Sequence, residues 1–236
     1  MNAQQLSMRL ATVAAFVPEG AKLADIGSDH AYLPCYLANK GLISSAIAGE
    51  VVEGPYLSAK KQVEAEGLDD IIQVRMGNGL EVISSNDADC ITIAGMGGAL
   101  IAEILEAGKD KLGQITRLVL QPNVSAISVR EWLRDNGWEL IDEAILEEDG
   151  KIYEILAAEK GIPDKPYESG LEKGLLFGPF LLKRKNEVFT KKWSFEKENW
   201  QRIVKQLDQA RETEEAKKKK EEIFEKIKLV EEVLSH

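Results

Sequence analysis

Six consecutive residues, Asp25-Ile26-Gly27-Ser28-Asp29-His30, place two carboxylates, a glycine, a hydroxyl and one of the chain's two histidines at the end of the apolar run Leu23–Ile26. A tight turn between a buried strand and a helix explains such a stretch. So does a cofactor loop, in which the glycine lets the backbone approach a ligand and the helix N-terminus offers free N–H groups. Glu50 follows 25 residues after Asp25, again at the end of an apolar run. A carboxylate there is placed to accept hydrogen bonds from a ribose diol. A third run leads into Gly77-Asn78-Gly79, whose amide suits an adenine edge, and a fourth into Ala94-Gly95-Met96-Gly97-Gly98. A crowded turn accounts for one or two of those last glycines, less easily for three in four positions. Together the four ends form a rim suited to an adenosine cofactor, with room beside it for a second molecule.

Elements must hold that rim. Leu23–Ile26, Ala46–Gly49, Ile71–Arg75, Cys90–Ala94 and Leu118–Leu120 are short apolar runs, each followed by a segment with helical spacing such as Ile101, Ile104 and Leu105. Alternation of this kind predicts a parallel sheet with helices on both faces. Trp138–Ile145 and Ile152–Ala157, joined through Asp149-Gly150, predict a closing antiparallel hairpin. The expected first domain is therefore residues 1–160. Gly161, Pro163, Pro166 and Gly170 make a linker to a second, charged helical domain, residues 161–236. There, Trp193, Trp200, Ile203, Leu207 and Ala210, then Ala216, Ile223, Ile227, Val230 and Leu234, follow heptad-like spacing, with a polar stretch at Arg211–Glu215 where the chain can reverse. An internal coiled-coil-like hairpin, and so a monomer, is favoured over one long helix pairing with a second subunit.

Charge divides along the same boundary. Residues 1–160 hold 13 Lys+Arg against 25 Asp+Glu, and residues 161–236 hold 17 against 15, so the total of −10 belongs to the first part. Cys35 and Cys90 sit in apolar surroundings and are expected as buried free thiols of a reducing cytoplasm. No membrane span, leader peptide or metal-ligand cluster is expected.

The first loop lacks the Gly-x-Gly-x-x-Gly of dinucleotide oxidoreductases, having Gly27, Asp29 and Tyr32 at the glycine positions. The terminal hairpin and Gly77-Asn78-Gly79 suit an S-adenosylmethionine-dependent methyltransferase of class I, Rossmann-like fold. The resemblance then becomes specific. LADIGSDHAYLP, GEVVEGP, VRMGNGL, IAGMGG, LVLQPN, VREWL and DGKIYEI occur in that order across about residues 6–158. They closely resemble the bacterial tRNA (adenine-22-N1)-methyltransferase family.

That resemblance implies methyl transfer from S-adenosylmethionine to N1 of an adenine in the D-loop region of tRNA, with S-adenosylhomocysteine as product. It implies Asp25, Gly27, Ser28 and His30 in the first cofactor loop, Glu50 and Val51 at the ribose, and Gly77, Asn78 and Gly79 beside the adenine. Asn78 departs from the family's usual aspartate. Ala94, Gly95 and Met96 would border the cofactor's methyl, Gly97 and Gly98 the target base, and Gln121, Pro122 and Asn123 the far wall. Asp29 leaves the first loop toward the expected base and is the catalytic candidate; a cap for the next helix is its alternative. Arg9 would reach the cofactor carboxylate from an N-terminal helix, with an exposed helix arginine as its alternative. Phosphate contacts would fall to Lys183, Arg184, Lys185, Lys191 and Lys192, and more weakly to Lys217–Lys220, although charge runs are commonly solvated helix faces. A methyltransferase of small molecules would leave this basic region without a task, and a non-catalytic binding protein would leave the rim without one.

Overall fold

The computed structural model describes residues 3–209 and 213–235. Seven strands form one sheet: β1 Ala21–Ile26, β2 Ile43–Glu50, β3 Ile72–Met76, β4 Cys90–Gly97, β5 Arg117–Val124, β6 Trp138–Glu148 and β7 Lys151–Lys160. Their order is β3-β2-β1-β4-β5-β7-β6. Every pairing from β3 to β5 is parallel, whereas β7 runs antiparallel to both β5 and β6. The strand order reverses between β1 and β4, which places the switch point beside the first loop. This is the Rossmann-like methyltransferase architecture with its terminal hairpin.

Helices α1 Met8–Ala15, α2 Tyr32–Asn39 and α3 Glu53–Glu66 cover one face; α4 Gly98–Ala107 and α5 Ala126–Asp135 cover the other. Alternation along the strands feeds both layers. Ala24, Ile26, Ile91, Ile93, Leu118 and Leu120 join the α4–α5 core, while Leu23, Cys90 and Val119 join the opposite one. Cys35 and Cys90 are buried free thiols, their pKa values pushed up to about 12 by burial.

Strands β2 and β5 to β7 outrun the apolar runs that predict them, because their ends are polar. One consequence bears on the site: Gln121, Pro122 and Asn123 lie inside β5 rather than in a loop after it. The β4–β5 register slips between Ala94 and Met96, leaving Gly95 as a bulge at φ +86°.

Beyond β7 come α6 Leu171–Phe177, α7 Pro179–Arg184, α8 Glu187–Gln209 and α9 Glu214–Leu234. Helices α8 and α9 lie antiparallel: Phe189 and Trp193 share a buried cluster with Val230 and Val233, and Val204 shares another with Ile223 and Ile227. The chain therefore reverses on itself instead of continuing as one long helix. Val204 and Val233 occupy buried positions that the heptad reading omits; Ala210 and part of the turn at 211–215 lie outside the described residues. The first of these clusters also takes in Ile145 of β6, so the helices cover the sheet's last edge strand.

Candidate active site

The first loop is shaped from below. Asp25 is 4% exposed, and its two oxygens accept from Ser28 Oγ at 2.5 Å and Thr92 Oγ1 at 2.6 Å. Burial raises its pKa despite both hydroxyls. Asp25 thus holds the loop rather than opening onto the rim, and Thr92 is a partner that sequence reasoning missed. Gly27, Asp29 and Ala31 all take left-handed backbone angles, φ +70°, +55° and +54°. The N–H groups of Gly27 and Ser28 donate to the Gly49 carbonyl, and that of Asp29 to the Glu50 carboxylate. A β-carbon on Gly27 would stand 2.2 Å from Met96 Cε, so the first and fourth strand ends touch here.

Asp29 does not cap the next helix. The cap position of α2 is Ala31, with no side-chain hydrogen bond, and the Asp29 side chain is 69% exposed. His30 Nε2 lies 3.7 Å from its carboxylate, and the His30 ring stacks on Tyr32 with centroids 5.1 Å apart. Glu50 is buried, and burial raises its pKa, with the Asp29 and Asp25 charges adding to the effect. Beside this carboxylate, Val51 and Met76 stand exposed; the sequence reading did not single out Met76. Gly77 N–H donates to the Glu50 carbonyl, and Asn78 N–H to Glu81 Oε2, which sets the turn into the 3₁₀ segment Gly79–Val82.

The fourth and fifth strand ends are stitched together. Gln121 is fully buried and its Oε1 accepts from Gly95 N–H at 3.0 Å and from Arg9 at 2.5 Å. Its amide nitrogen donates to Asn123 Oδ1, while Asn123 Nδ2 donates to the Gly95 carbonyl at 2.7 Å. Both backbone groups of the bulge are thereby held by β5 side chains. Arg9 is no exposed helix arginine: it also lies over the Tyr153 ring, 5.5 Å from the centroid. Glu148 carries the helix that presents it, accepting the N–H groups of Met8 and Arg9 at the start of α1. Gly98 has a packing role, since a β-carbon there would lie 2.0 Å from the Ser125 carbonyl oxygen.

The basic cluster on α7 and α8 requires correction as a free phosphate-binding surface. Arg184 donates to the Glu143 carbonyl and to Asp142, and Lys185 to the Val233 carbonyl at 2.9 Å. Lys191 pairs with Glu147 at 2.6 Å and Lys192 with Glu154. Among the described residues Lys183 and Lys185 have no ion pair; of the five, Lys183 alone has no side-chain hydrogen bond either, and it rests over Phe180. Most of these cations clamp the helices to the β6–β7 hairpin, whose acids are invisible as neighbours in sequence. The centre of that clamp is Arg130, wholly buried, which meets Glu143 at 2.6 Å and Glu154 at 2.8 Å and donates to the carbonyls of Leu175 and Leu176. Burial raises Glu143's pKa; for Glu154, Lys192 and Arg130 together outweigh burial and lower it.

A family model described as tRNA (adenine(22)-N(1))-methyltransferase matches residues 23–232. The chain belongs to that family. A Bacillus subtilis tRNA (adenine(22)-N(1))-methyltransferase is 56% identical over all of both chains. The crystal structure of the B. subtilis m1A22 tRNA methyltransferase superposes with a TM-score of 0.94, covering 98% of this chain and 99% of that one. A Streptococcus pneumoniae putative tRNA (m1A22) methyltransferase, solved in complex with S-adenosyl-L-methionine, is 46% identical with a TM-score of 0.85 over 98% and 100% of the two chains. A Mycoplasma capricolum relative, solved with S-adenosyl-homocysteine, is 28% identical with a TM-score of 0.82 over 98% of each chain. Family membership removes the small-molecule methyltransferase and the non-catalytic protein from contention.

Proposed function

We propose that this chain methylates N1 of adenine 22 in tRNA with S-adenosylmethionine as donor. The observation that supports the reading best is the rim itself: at the sheet's switch point the Gly27–Ala31 loop, the Glu50 carboxylate and the Gly95 bulge converge, as an adenosine cofactor and a neighbouring base require. The residues fit the donor. Glu50 has the chemistry for a ribose diol, and Val51 and Met76 offer apolar contact to a purine ring with Asn78 at its edge. Ser28, His30, Gly77 and Gly79 complete the adenosine side, and Ala94, Gly95 and Met96 the methionine side.

S-adenosylmethionine supplies the electrophilic methyl of its sulfonium. The chain's own work is to hold N1 in line with that methyl and exclude water. Arg9 and Asn123, with Gly97, form the wall against which the adenine is held; the buried Gln121 and Pro122 and the closely packed Gly98 support that wall from behind, and Gln121 and Asn123 keep the bulge from moving. The exposed Asp29 carboxylate favours the positive charge that develops on the purine, or accepts a proton from its exocyclic amine. The adenine must leave its stack to reach this depth. We assign residues 1–160 to catalysis and residues 161–236 to tRNA, with Lys183 and the exposed Lys218 and Lys219 as phosphate contacts, and the enzyme to a cytoplasmic monomer. No described helix is long and apolar enough to cross a membrane.

The test is incubation with S-adenosylmethionine and unmodified tRNA, followed by nucleoside mass spectrometry with position mapping. The expected product is N1-methyladenosine at one D-loop adenine. Methylation elsewhere, or none with the cofactor bound, would overturn the substrate assignment. In Asp29→Ala, methyl transfer should fall far more than cofactor affinity; equal losses would place Asp29 among the binding residues.

A further inference from the structure

A cavity of about 400 Å³ borders the catalytic rim at Pro122 and Asn123 and runs to the outer face of α8. Its apolar walls include Val124, Ile152 and Phe195, and Lys191 and Glu196 are among its charged groups. Two of those walls are unusual for apolar side chains: Val124 is 68% exposed and Phe195 60%. Phe195 also lies off the buried stripe of α8, which runs through Phe189, Trp193 and Val204, so the helical hairpin makes no use of its ring.

We propose that this cavity takes the base of one nucleotide adjoining the target adenine in the tRNA strand, stacked on Phe195, with its phosphate on Lys191. The inference rests on the tRNA reading above. When the adenine is extruded, its strand neighbour loses a stacking partner, and an exposed aromatic ring next to the catalytic wall replaces it. Continuity identifies the occupant: Asn123, whose amide holds the Gly95 carbonyl at the rim, also lines the cavity, so one strand passes from the first position to the second. The charges agree. Among the described residues Lys191 pairs only with Glu147, a partly exposed and therefore weak pairing that a phosphate can displace, while Lys192 and Glu154, which also line the cavity, neutralise each other. Glu196, without an ion pair among the described residues, is placed to accept from a base N–H rather than to face a phosphate.

The test combines turnover with fluorescence. Phe195→Ala should raise the KM for tRNA about 5-fold or more while leaving S-adenosylmethionine affinity and thermal stability unchanged. Phe195→Tyr should restore the KM, and Phe195→Leu should not. In tRNA carrying 2-aminopurine beside the target, the wild type should change the probe's fluorescence and Phe195→Ala should abolish that change. An unchanged KM in Phe195→Ala, or full rescue by leucine, would overturn this inference alone, since wild-type turnover on the same tRNA would still stand. Absence of wild-type turnover would overturn both readings.

Discussion

Burial pushes the Glu50 carboxyl above its ordinary range, and the neighbouring Asp29 and Asp25 charges reinforce the shift. A raised folded-state pKa means that protonation stabilises the unliganded fold: this contribution is complete below the unfolded value and is lost as pH rises through the folded one. Binding runs the other way, because a ribose diol needs the ionised acceptor. Affinity for S-adenosylmethionine should therefore fall as pH falls through the raised pKa, in a window beginning above the ordinary 4.5. Glu50→Gln should remove that dependence and weaken binding about 10-fold or more, read by calorimetry across pH, since hydrogen bonds to charged groups contribute about 1.5–3 kcal/mol. Asp29 permits a similarly clean substitution. Asparagine tolerates its left-handed backbone, so Asp29→Asn should keep its melting temperature and lose about 100-fold or more in kcat. At this scale the sequence was informative about strand ends, where glycine and acid follow an apolar run. It was silent on Thr92, Gln121's two acceptor contacts and Met76, because nothing local marks a buried hydroxyl as the partner of a carboxylate 67 residues away.

Between elements, one contact holds the helices to the hairpin and another seats α4 at the rim. Arg130 of α5 reaches Glu143 on β6 and Glu154 on β7 while taking the last carbonyls of α6, so four elements meet at one guanidinium. Arg130→Met leaves two buried carboxylates short of a partner. It should cost about 3–5 kcal/mol in urea unfolding and expose the α6–α9 region to proteolysis. Gly98→Ala forces a β-carbon against the Ser125 carbonyl, which is backbone and cannot swing aside. About 1–3 kcal/mol of stability should be lost, with activity falling alongside as α4 moves from the β5–α5 turn; a variant of full activity and unchanged melting temperature would show that the turn accommodates it. The element types followed from periodicity, yet the length of β5 did not, because Gln121-Pro122-Asn123 looks like a loop until β4 pairs with it.

For the whole molecule, the sheet region is acidic and the C-terminal helices are more basic, and the proposed tRNA contacts fall on the latter. Because Arg184 serves the clamp and Lys185 holds the Val233 carbonyl, alanine at Lys183, Arg184 and Lys185 together would confound binding with stability. Lys218 and Lys219 are exposed and have no ion pair among the described residues. Replacing both with alanine should leave melting unchanged and reduce the steepness of the salt dependence of tRNA binding by about 0.7–0.9 for each phosphate no longer neutralised. An unchanged slope would place the phosphate surface elsewhere on the molecule.

The sequence by itself determined the alternation that builds a parallel sheet, the hairpin that closes it, the family motifs at the strand ends and the reversal of the C-terminal helices. Each is written in short-range periodicity and in residues within one turn of a strand end. Only the tertiary structure decided which charges face one another. Arg130, Glu143, Glu154 and Lys192 meet because the hairpin folds back against α5 and α8. A run of lysines looks the same in sequence whether acids or water lie opposite, and here acids lie opposite most of the first run. Burial, likewise, set Asp25 beneath its loop with two hydroxyl partners, one of them 67 residues away.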